Sequence, residues 1–148
     1  MSHSNWPNRQ ETALIQALES IGSQIAVCPG DKVLTEGEPG TGIYILRSGS
    51  ARVSMESQDG NIIELRTLEA GSFFGLSCTL SCDHCCYTVE AGVPSEITFV
   101  PGQSAQELLR SRPDLCLQVI QLLGQEMSSI CNERARINVE SKPVRIVA

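Results

Sequence analysis

Four cysteines within nine residues form the densest group of reactive side chains in the sequence: Cys78, Cys82, Cys85 and Cys86. Thiolates at such short spacings bind zinc or iron–sulfur clusters, and thiols can also be oxidised. His84 lies inside the group and could serve, like Cys86, as a fourth ligand. The alternative is that these small apolar side chains simply fill a tightly packed helix and loop, as cysteines readily do. Both interpretations, a metal or redox site and a packing role, stay open.

The cysteines lie within residues 71–90, where the order of elements is typical of an anion-binding turn. A strand-like segment leads into Gly75, a short helical segment follows up to Ser81, and a strand begins at Tyr87. A helix that starts directly after a glycine turn offers unpaired backbone N–H groups to an anion. However, residues 72–88 contain no arginine, lysine or glutamate. We expect a ligand cradle without its usual charges, formed by Phe74, Gly75, Leu76, Ser77, Cys85, Cys86, Tyr87 and Thr88.

The elements that must position these residues are short strands. Residues 25–101 alternate apolar segments of a few residues with glycine-rich turns. Such spacing indicates an antiparallel sandwich or barrel. Asp59-Gly60 between two such segments predicts a hairpin with a two-residue turn.

Helical periodicity flanks the strand region, and the predicted helices cover residues 11–21, 104–111 and 113–138. Ser104 is placed to cap the second helix, with Glu107 as its capping-box partner. Pro113 suits the first turn of the third helix. Residues 139–148 have no periodicity and are expected to be a loose end.

The third helix carries a heptad seam with spacings of four and three: Cys116, Ile120, Leu123, Met127, Ile130, Arg134 and Ile137. A second apolar face occupies only its first half and consists of Leu115, Leu117, Val119 and Leu122. The seam outlasts this second face, so we expect the helix to pack on the β-region and also on a second copy of itself. The alternative is that the seam packs on its own β-region or on the first helix.

Composition excludes several functional classes. The chain has 148 residues, which is typical of one domain, and a formal net charge of -6, which disfavours broad affinity for nucleic acid. It contains no apolar run of membrane-spanning length and starts with a polar segment, so we expect a cytoplasmic protein without membrane association. With only two histidines, His3 and His84, the clustered ligands of a cupin metal site are missing, and no catalytic triad is apparent. We expect no enzymatic activity.

The order of elements resembles the cyclic-nucleotide-binding domain, most nearly the effector domains of catabolite-activator and FNR-type bacterial regulators. Residues 36–53 (EGEPGTGIYILRSGSARV) are similar to that family's glycine-and-aromatic run, and residues 71–75 (GSFFG) to the entry of its phosphate-binding cassette. The resemblance covers residues 11–138. It implies a mainly β fold with flanking helices, namely a double-stranded β-helix (jelly roll or β-roll) with an N-terminal helix and a long C-terminal helix.

The same resemblance implies two losses in the cassette. The family's glutamate for the ribose 2′-hydroxyl corresponds to Leu76, and its arginine for the cyclic phosphate corresponds to Cys85. Each lost bond weakens binding by about 1.5–3 kcal/mol, so affinity falls by on the order of 10²- to 10⁴-fold. We expect weak or no cyclic AMP binding. A less charged effector, or none, would suit a pocket between residues 74–77, residues 85–88 and the inner face of the long helix.

These observations predict a non-catalytic sensory or regulatory domain, dimeric through residues 113–138 and acting on a protein partner. Regulators of the family carry a DNA-reading domain after the long helix, and this sequence ends about there, so direct nucleic-acid binding is not expected. Basic residues near the end are interpreted as a solvated helix end and tail: Arg134, Arg136, Lys142 and Arg145. Two alternatives stay open: a metal, iron–sulfur or thiol redox sensor at the cysteines, and a ligand-free dimerisation module.

Overall fold

The computed structural model describes residues 12–81 and 83–137 and consists mainly of strands with helices at both ends. In chain order the elements are α1 (Thr12–Ser20), β1 (Ser23–Val27), β2 (Lys32–Leu34), β3 (Gly42–Ser48), β4 (Ser50–Glu56), β5 (Ile62–Glu69), β6 (Phe73–Phe74), α2 (Leu76–Leu80), β7 (Thr88–Ala91), β8 (Ser95–Pro101), α3 (Gly102–Ser111) and α4 (Pro113–Ile137). The predicted mainly β fold with flanking helices is confirmed. Glu11, Asn138 and the expected tail at 139–148 lie outside the described residues.

The strands form two four-stranded antiparallel sheets. The first sheet has the order β1-β8-β3-β6 and the second has the order β2-β7-β4-β5. The chain passes from the first sheet to the second at Gly49, which has a φ of 95°. This left-handed conformation suits glycine, because it has no Cβ to clash with the backbone. The change of sheet at a single residue lets β3 and β4 wrap around a shared interior.

The first core cluster fills the space between the two sheets. It consists of Leu34, Tyr44, Leu46, Ala51, Val53, Leu65, Leu68, Phe74, Cys78, Cys85, Tyr87, Val89 and Ile97. Successive side chains of a strand point to opposite faces. Tyr44 and Leu46 of β3 therefore join this cluster, whereas Ile43 and Ile45 lie on the other face of the first sheet.

The second core cluster joins that other face to the helices. It consists of Leu14, Leu18, Ile43, Ile45, Phe73, Leu76, Val100, Ala105, Leu109, Leu115, Val119 and Leu122. α1, α3 and the first half of α4 all contribute to it. Because β3 is covered on both faces, residues 42–46 are all buried and do not alternate between apolar and polar, and only Arg47 and Ser48 at its end are exposed.

The hairpin predicted at Asp59-Gly60 joins β4 to β5, but its turn is longer than two residues. The Ser57 N–H donates to the Asn61 carbonyl oxygen at 2.8 Å, and the Gly60 N–H donates to the Ser57 carbonyl oxygen at 3.0 Å. These bonds enclose a three-residue loop that ends at Gly60, with a φ of 87°. Such loops commonly place glycine in the left-handed position.

The predicted capping box at Ser104 and Glu107 is wrong. α3 begins two residues earlier, at Gly102, and its cap position is Pro101, without a side-chain cap hydrogen bond. The Gly102 N–H donates instead to the Thr41 carbonyl oxygen at 3.1 Å. A contact distant in sequence thus fixes the start of this helix.

Among the described helices, none combines the length and apolar character needed to cross a membrane.

Candidate functional site

The turn at Gly75 requires glycine for two independent reasons. Its φ is 81°, and a Cβ atom there would lie 2.7 Å from the Gly42 carbonyl oxygen and 3.1 Å from the Tyr44 ring. Strand β6 therefore runs directly beside β3 and then turns sharply into α2, of which Gly75 is the N-cap residue. The glycine turn and the short helix are where the sequence predicted them.

A glycine-rich turn ahead of β3 holds the cysteine-containing loop by its backbone. The Gly37 N–H donates to the Cys85 carbonyl oxygen at 2.8 Å, and the Cys85 N–H donates to the Glu38 carbonyl oxygen at 2.8 Å. The Gly40 N–H donates to the Asp83 carbonyl oxygen at 3.2 Å. These three backbone hydrogen bonds fix the position of the loop against the turn that precedes β3.

Two of the four clustered cysteines meet in the interior. The Cys78 Sγ lies 3.0 Å from the Cys85 Sγ, and the side chains are only 6% and 3% exposed. Burial is the largest of several effects that together raise the pKa of the Cys85 thiol to about 12; the hydrogen bond with Cys78 and nearby negative charges, including Glu38, also contribute. The Cys85 thiol is therefore neutral at physiological pH.

Leu76 and Cys85, the positions that the resemblance assigns to the ribose and phosphate contacts, lie in different core clusters. Leu76 is completely buried in the second core cluster, with Leu115 and Val119 of α4. Cys85 belongs to the first core cluster, between the sheets. The two side chains thus pack in different parts of the interior, and a pocket lined by both stays a prediction.

Two aromatic side chains of the candidate cradle are also buried. Phe74 stacks on Tyr44 with ring centroids 5.0 Å apart and an interplanar angle of 5°. Tyr87 is 4% exposed, and its hydroxyl accepts a long hydrogen bond from the Gly75 N–H at 3.5 Å. A side chain of the chain itself therefore contacts the backbone N–H of the glycine turn.

The remaining cradle residues lie nearer the surface. Ser77 and Thr88 are half-buried, and the Thr88 hydroxyl accepts a hydrogen bond from the Glu36 N–H at 3.0 Å. Cys86 and His84 are exposed. Within residues 12–81 and 83–137, no group of three or more His, Cys, Asp or Glu side chains is placed to hold a metal ion. Cys82, which also belongs to the predicted metal site, lies outside the described residues.

Sequence reasoning missed two residues that support the site. The Thr79 hydroxyl donates to the Gly42 carbonyl oxygen at 2.8 Å and ties α2 to β3. A Cβ on Gly40 would lie 2.7 Å from the backbone of Cys78, so only glycine allows this close approach to α2. The Gly40–Gly42 pair is a visible signal in the sequence, whereas nothing in the sequence distinguishes Thr79.

The outer face of α4 carries apolar side chains that nothing in the described residues covers. Leu117 and Ile120 are each 59% exposed and Cys116 is half-buried, whereas the seam residue Leu123 is half-buried and packs against the second core cluster. The placement of Leu117 on the face that packs against the β-region was wrong; the fully buried residues of that face are Leu115, Val119 and Leu122. The other predicted seam positions lie on α4, but their side chains are outside the described part: Met127, Ile130, Arg134 and Ile137.

Two antiparallel sheets around the first core cluster, a glycine turn with a short helix, and a long helix packed on the outer face of the first sheet define a β-roll with flanking helices. Residues 24–112, more than half of the chain, match the family model described as "Cyclic nucleotide-binding domain". The chain belongs to the cyclic-nucleotide-binding domain family.

Curated relatives match over short parts of their length. The chain is 28% identical over 101 residues to the neuropathy target esterase sws of Drosophila melanogaster, which covers 64% of this chain and 7% of that protein. It is 39% identical over 57 residues to the cAMP-dependent protein kinase regulatory subunit of Yarrowia lipolytica, which covers 38% of this chain and 14% of that protein. The chain thus spans only a small fraction of these relatives.

Solved structures of bacterial regulators share the fold. The catabolite activator protein of Thermus thermophilus superposes with a TM-score of 0.73 at 19% identity, covering 90% of this chain and 61% of that one. The c-di-GMP-responsive regulator CLP of Xanthomonas campestris superposes with a TM-score of 0.72 at 17% identity, covering 84% of this chain and 61% of that one. The sensor domain of the regulator DNR from Pseudomonas aeruginosa superposes with a TM-score of 0.64 at 18% identity, covering 91% of this chain and 85% of that one.

Proposed function

We propose that this chain is a non-catalytic regulatory domain that binds cyclic AMP weakly or not at all and responds to a different effector or a protein partner. The observation that carries the proposal is the environment of Cys85, the position that the resemblance assigns to the phosphate arginine. Its side chain is 3% exposed and lies against Cys78, with 3.0 Å between the two sulfur atoms. A neutral buried thiol offers no positive charge to a phosphate.

The charges around Cys85 also have the wrong sign for an anion. The carboxylate of Glu38 is close enough to contribute to the raised pKa of the Cys85 thiol. Asp83 lies in the same loop, and residues 72–88 contain no lysine or arginine. A hydrogen bond to a charged group contributes about 1.5–3 kcal/mol, so the missing arginine alone lowers affinity by on the order of 10- to 100-fold.

The buried side chains of the cassette favour a small apolar effector or none. Phe74, Cys78, Cys85 and Tyr87 all belong to the first core cluster. The Tyr87 hydroxyl faces the Gly75 N–H, one of the backbone donors that a bound anion would need. This arrangement also supports the second candidate function, a ligand-free dimerisation module.

A physical route joins the cassette to the long helix. Leu76, the first residue of α2, is fully buried in the second core cluster beside Leu115, Val119 and Leu122 of α4. A ligand or partner that displaces α2 must repack these side chains, because packed cores resist continuous deformation. The output of the domain is thus a shift of α4.

Dimerisation through α4 is the simplest use of its uncovered face. Leu117 and Ile120 are each 59% exposed, and a Cβ on Gly124 would meet no atom within 4 Å. The apolar seam continues along the helix in the sequence, at the heptad spacing that coiled-coil pairs use. A second copy of α4 would cover these positions along a symmetric contact.

A gain-of-function pair of variants tests the cassette proposal. Cys85→Arg returns a guanidinium to the phosphate position, whereas Cys28→Arg adds the same charge at an exposed site in the turn after β1. We expect Cys85→Arg to bind cyclic AMP at least about tenfold more tightly than the unmodified chain, since one charged hydrogen bond contributes about 1.5–3 kcal/mol. Cys28→Arg should change nothing. Isothermal titration calorimetry measures both.

Controls keep the comparison interpretable. Circular dichroism and thermal melting establish that each variant is folded, and the regulatory subunit from Yarrowia lipolytica serves as a reference for the assay. If folded Cys85→Arg gains no affinity, or if Cys28→Arg gains as much, the missing arginine is not the reason for weak binding. Micromolar or tighter binding by the unmodified chain would contradict the proposal itself.

A further inference from the structure

We propose that Cys78 and Cys85 are a thiol-oxidation site: the two residues form a reversible intramolecular disulfide that ties α2 to the loop before β7. The inference rests on the geometry of the two sulfur atoms and does not depend on which ligand, if any, the domain binds.

The backbone holds both cysteines in place before any bond forms. The Asp83 N–H donates to the Cys78 carbonyl oxygen at 2.9 Å, which folds the loop back over α2. The Cys85 N–H and carbonyl oxygen are bonded to Glu38 and Gly37 respectively, each at 2.8 Å. With the sulfur atoms 3.0 Å apart, a disulfide of about 2.05 Å requires them to approach by only about 1 Å.

The surroundings select this pair over the adjacent Cys86. Cys78 and Cys85 both lie in the first core cluster, whereas the side chain of Cys86 is exposed. Neighbouring residues in an extended loop place their side chains on opposite sides. The thiol that faces Cys85 is therefore that of Cys78, seven positions earlier in the sequence.

The oxidant we propose is a peroxide, which is small enough to reach a shielded sulfur atom. The thiolate of one cysteine attacks a peroxide oxygen, the O–O bond breaks, and a sulfenic acid and hydroxide form. The second cysteine then attacks the sulfenic sulfur and releases water as the S–S bond forms. Overall, two thiols and one hydrogen peroxide give one disulfide and two water molecules, and a dithiol reductant reverses the change.

Burial makes this reaction slow under mild conditions. Both side chains are less than a tenth exposed, and the pKa of Cys85 is raised because burial disfavours the thiolate. Oxidation therefore proceeds faster as the pH rises, and it needs either sustained peroxide or an opening of the loop. Such a site is oxidised during sustained exposure to peroxide and stays reduced during brief exposure.

The disulfide would stiffen the cassette. It closes a ring of eight residues that contains the whole loop between α2 and Cys85. Closing a loop of this size reduces the freedom of the unfolded chain and raises the melting temperature of a domain of this length by about 5 °C. Reduction with dithiothreitol should remove the increase.

The experiment treats the reduced, full chain with hydrogen peroxide at pH 8.5, alkylates the remaining thiols and maps the cross-linked peptides by mass spectrometry. Cleavage before Asp83 separates Cys78 and Cys82 from Cys85 and Cys86. A double variant, Cys82→Ser with Cys86→Ser, leaves Cys78 and Cys85 as the only cysteines of these two peptides. We expect this double variant to form the cross-link, with loss of two hydrogen atoms and a melting temperature about 5 °C higher.

A matched variant gives the opposite result. Adding Cys85→Ser to the same double variant should abolish the cross-link. The proposal is overturned if the double variant stays reduced while the exposed Cys28 is oxidised, or if the cross-link joins Cys28 to either residue. It is equally overturned if the cross-link persists without Cys85. The double variant decides the matter even if Cys85→Ser does not fold, because it retains both interior cysteines.

Discussion

Replacing Ile120 with glutamate tests whether the uncovered face of α4 is a dimer interface. Ile120 is 59% exposed in the isolated chain, so its substitution should leave the fold of the monomer intact. Complete burial of an isoleucine side chain contributes about 1.5–3 kcal/mol. Covering the exposed 59% in two copies therefore contributes about 2–4 kcal/mol to a symmetric dimer.

Ile120→Glu should weaken association by at least this amount, because the glutamates of the two copies also repel each other. The loss corresponds to a rise of the dimer dissociation constant by on the order of 10²-fold. Sedimentation velocity over a range of protein concentrations measures the shift, and thermal melting at low concentration checks the fold.

Gln125→Glu provides the matched control. Gln125 is exposed on the same helix and outside the predicted seam, and the substitution adds the same charge. Its dissociation constant should stay close to that of the unmodified chain. A dimer interface on this face of α4 is refuted if the unmodified chain is monomeric at tens of micromolar, or if Gln125→Glu and Ile120→Glu weaken association equally.

Two further predictions concern the buried residues of the cassette. Leu76→Ala should lower the free energy of unfolding by about 2–5 kcal/mol, since it opens a cavity in the second core cluster. Ile62→Ala, at a 71% exposed position of β5 away from the α4 face, should change it by less than about 1 kcal/mol. Equal losses in urea denaturation would show that Leu76 is not a core residue. The difference in free energy of unfolding between the unmodified chain and Cys85→Ala should fall as the pH rises. Folding raises the pKa of the Cys85 thiol to about 12, so this thiol stays protonated in the folded chain while it ionises in the unfolded chain. Between pH 8 and pH 10 this difference should shrink by about 1–2 kcal/mol, and a constant difference in urea denaturation would contradict this.

The fold could be predicted from the sequence because its turns are marked by glycine. Gly49, Gly60 and Gly75 all adopt positive φ values, and each lies where one element ends and the next begins. Local signals of this kind fix the order and type of the elements. The start of α3 could not be predicted, because it depends on a hydrogen bond between Gly102 and Thr41, which are far apart in the sequence.

The site was only partly predictable for the same reason. The spacing of the cysteines indicated reactive or packing thiols, but not that Cys78 meets Cys85, since that contact depends on the pairing of the loop with Gly37 and Glu38. Leu76 was assigned to the cradle by its position after Gly75. That its side chain packs in the second core cluster with Leu115 and Val119 of α4 depends on tertiary contacts that the local sequence does not specify.

The most direct test of the central claim is a calorimetric titration of the unmodified chain with cyclic AMP. We expect no saturable binding at micromolar concentrations, because the loss of two charged contacts lowers affinity by on the order of 10²- to 10⁴-fold. A saturating isotherm with a micromolar or lower dissociation constant would contradict this expectation and show that the chain holds the cyclic phosphate without the arginine.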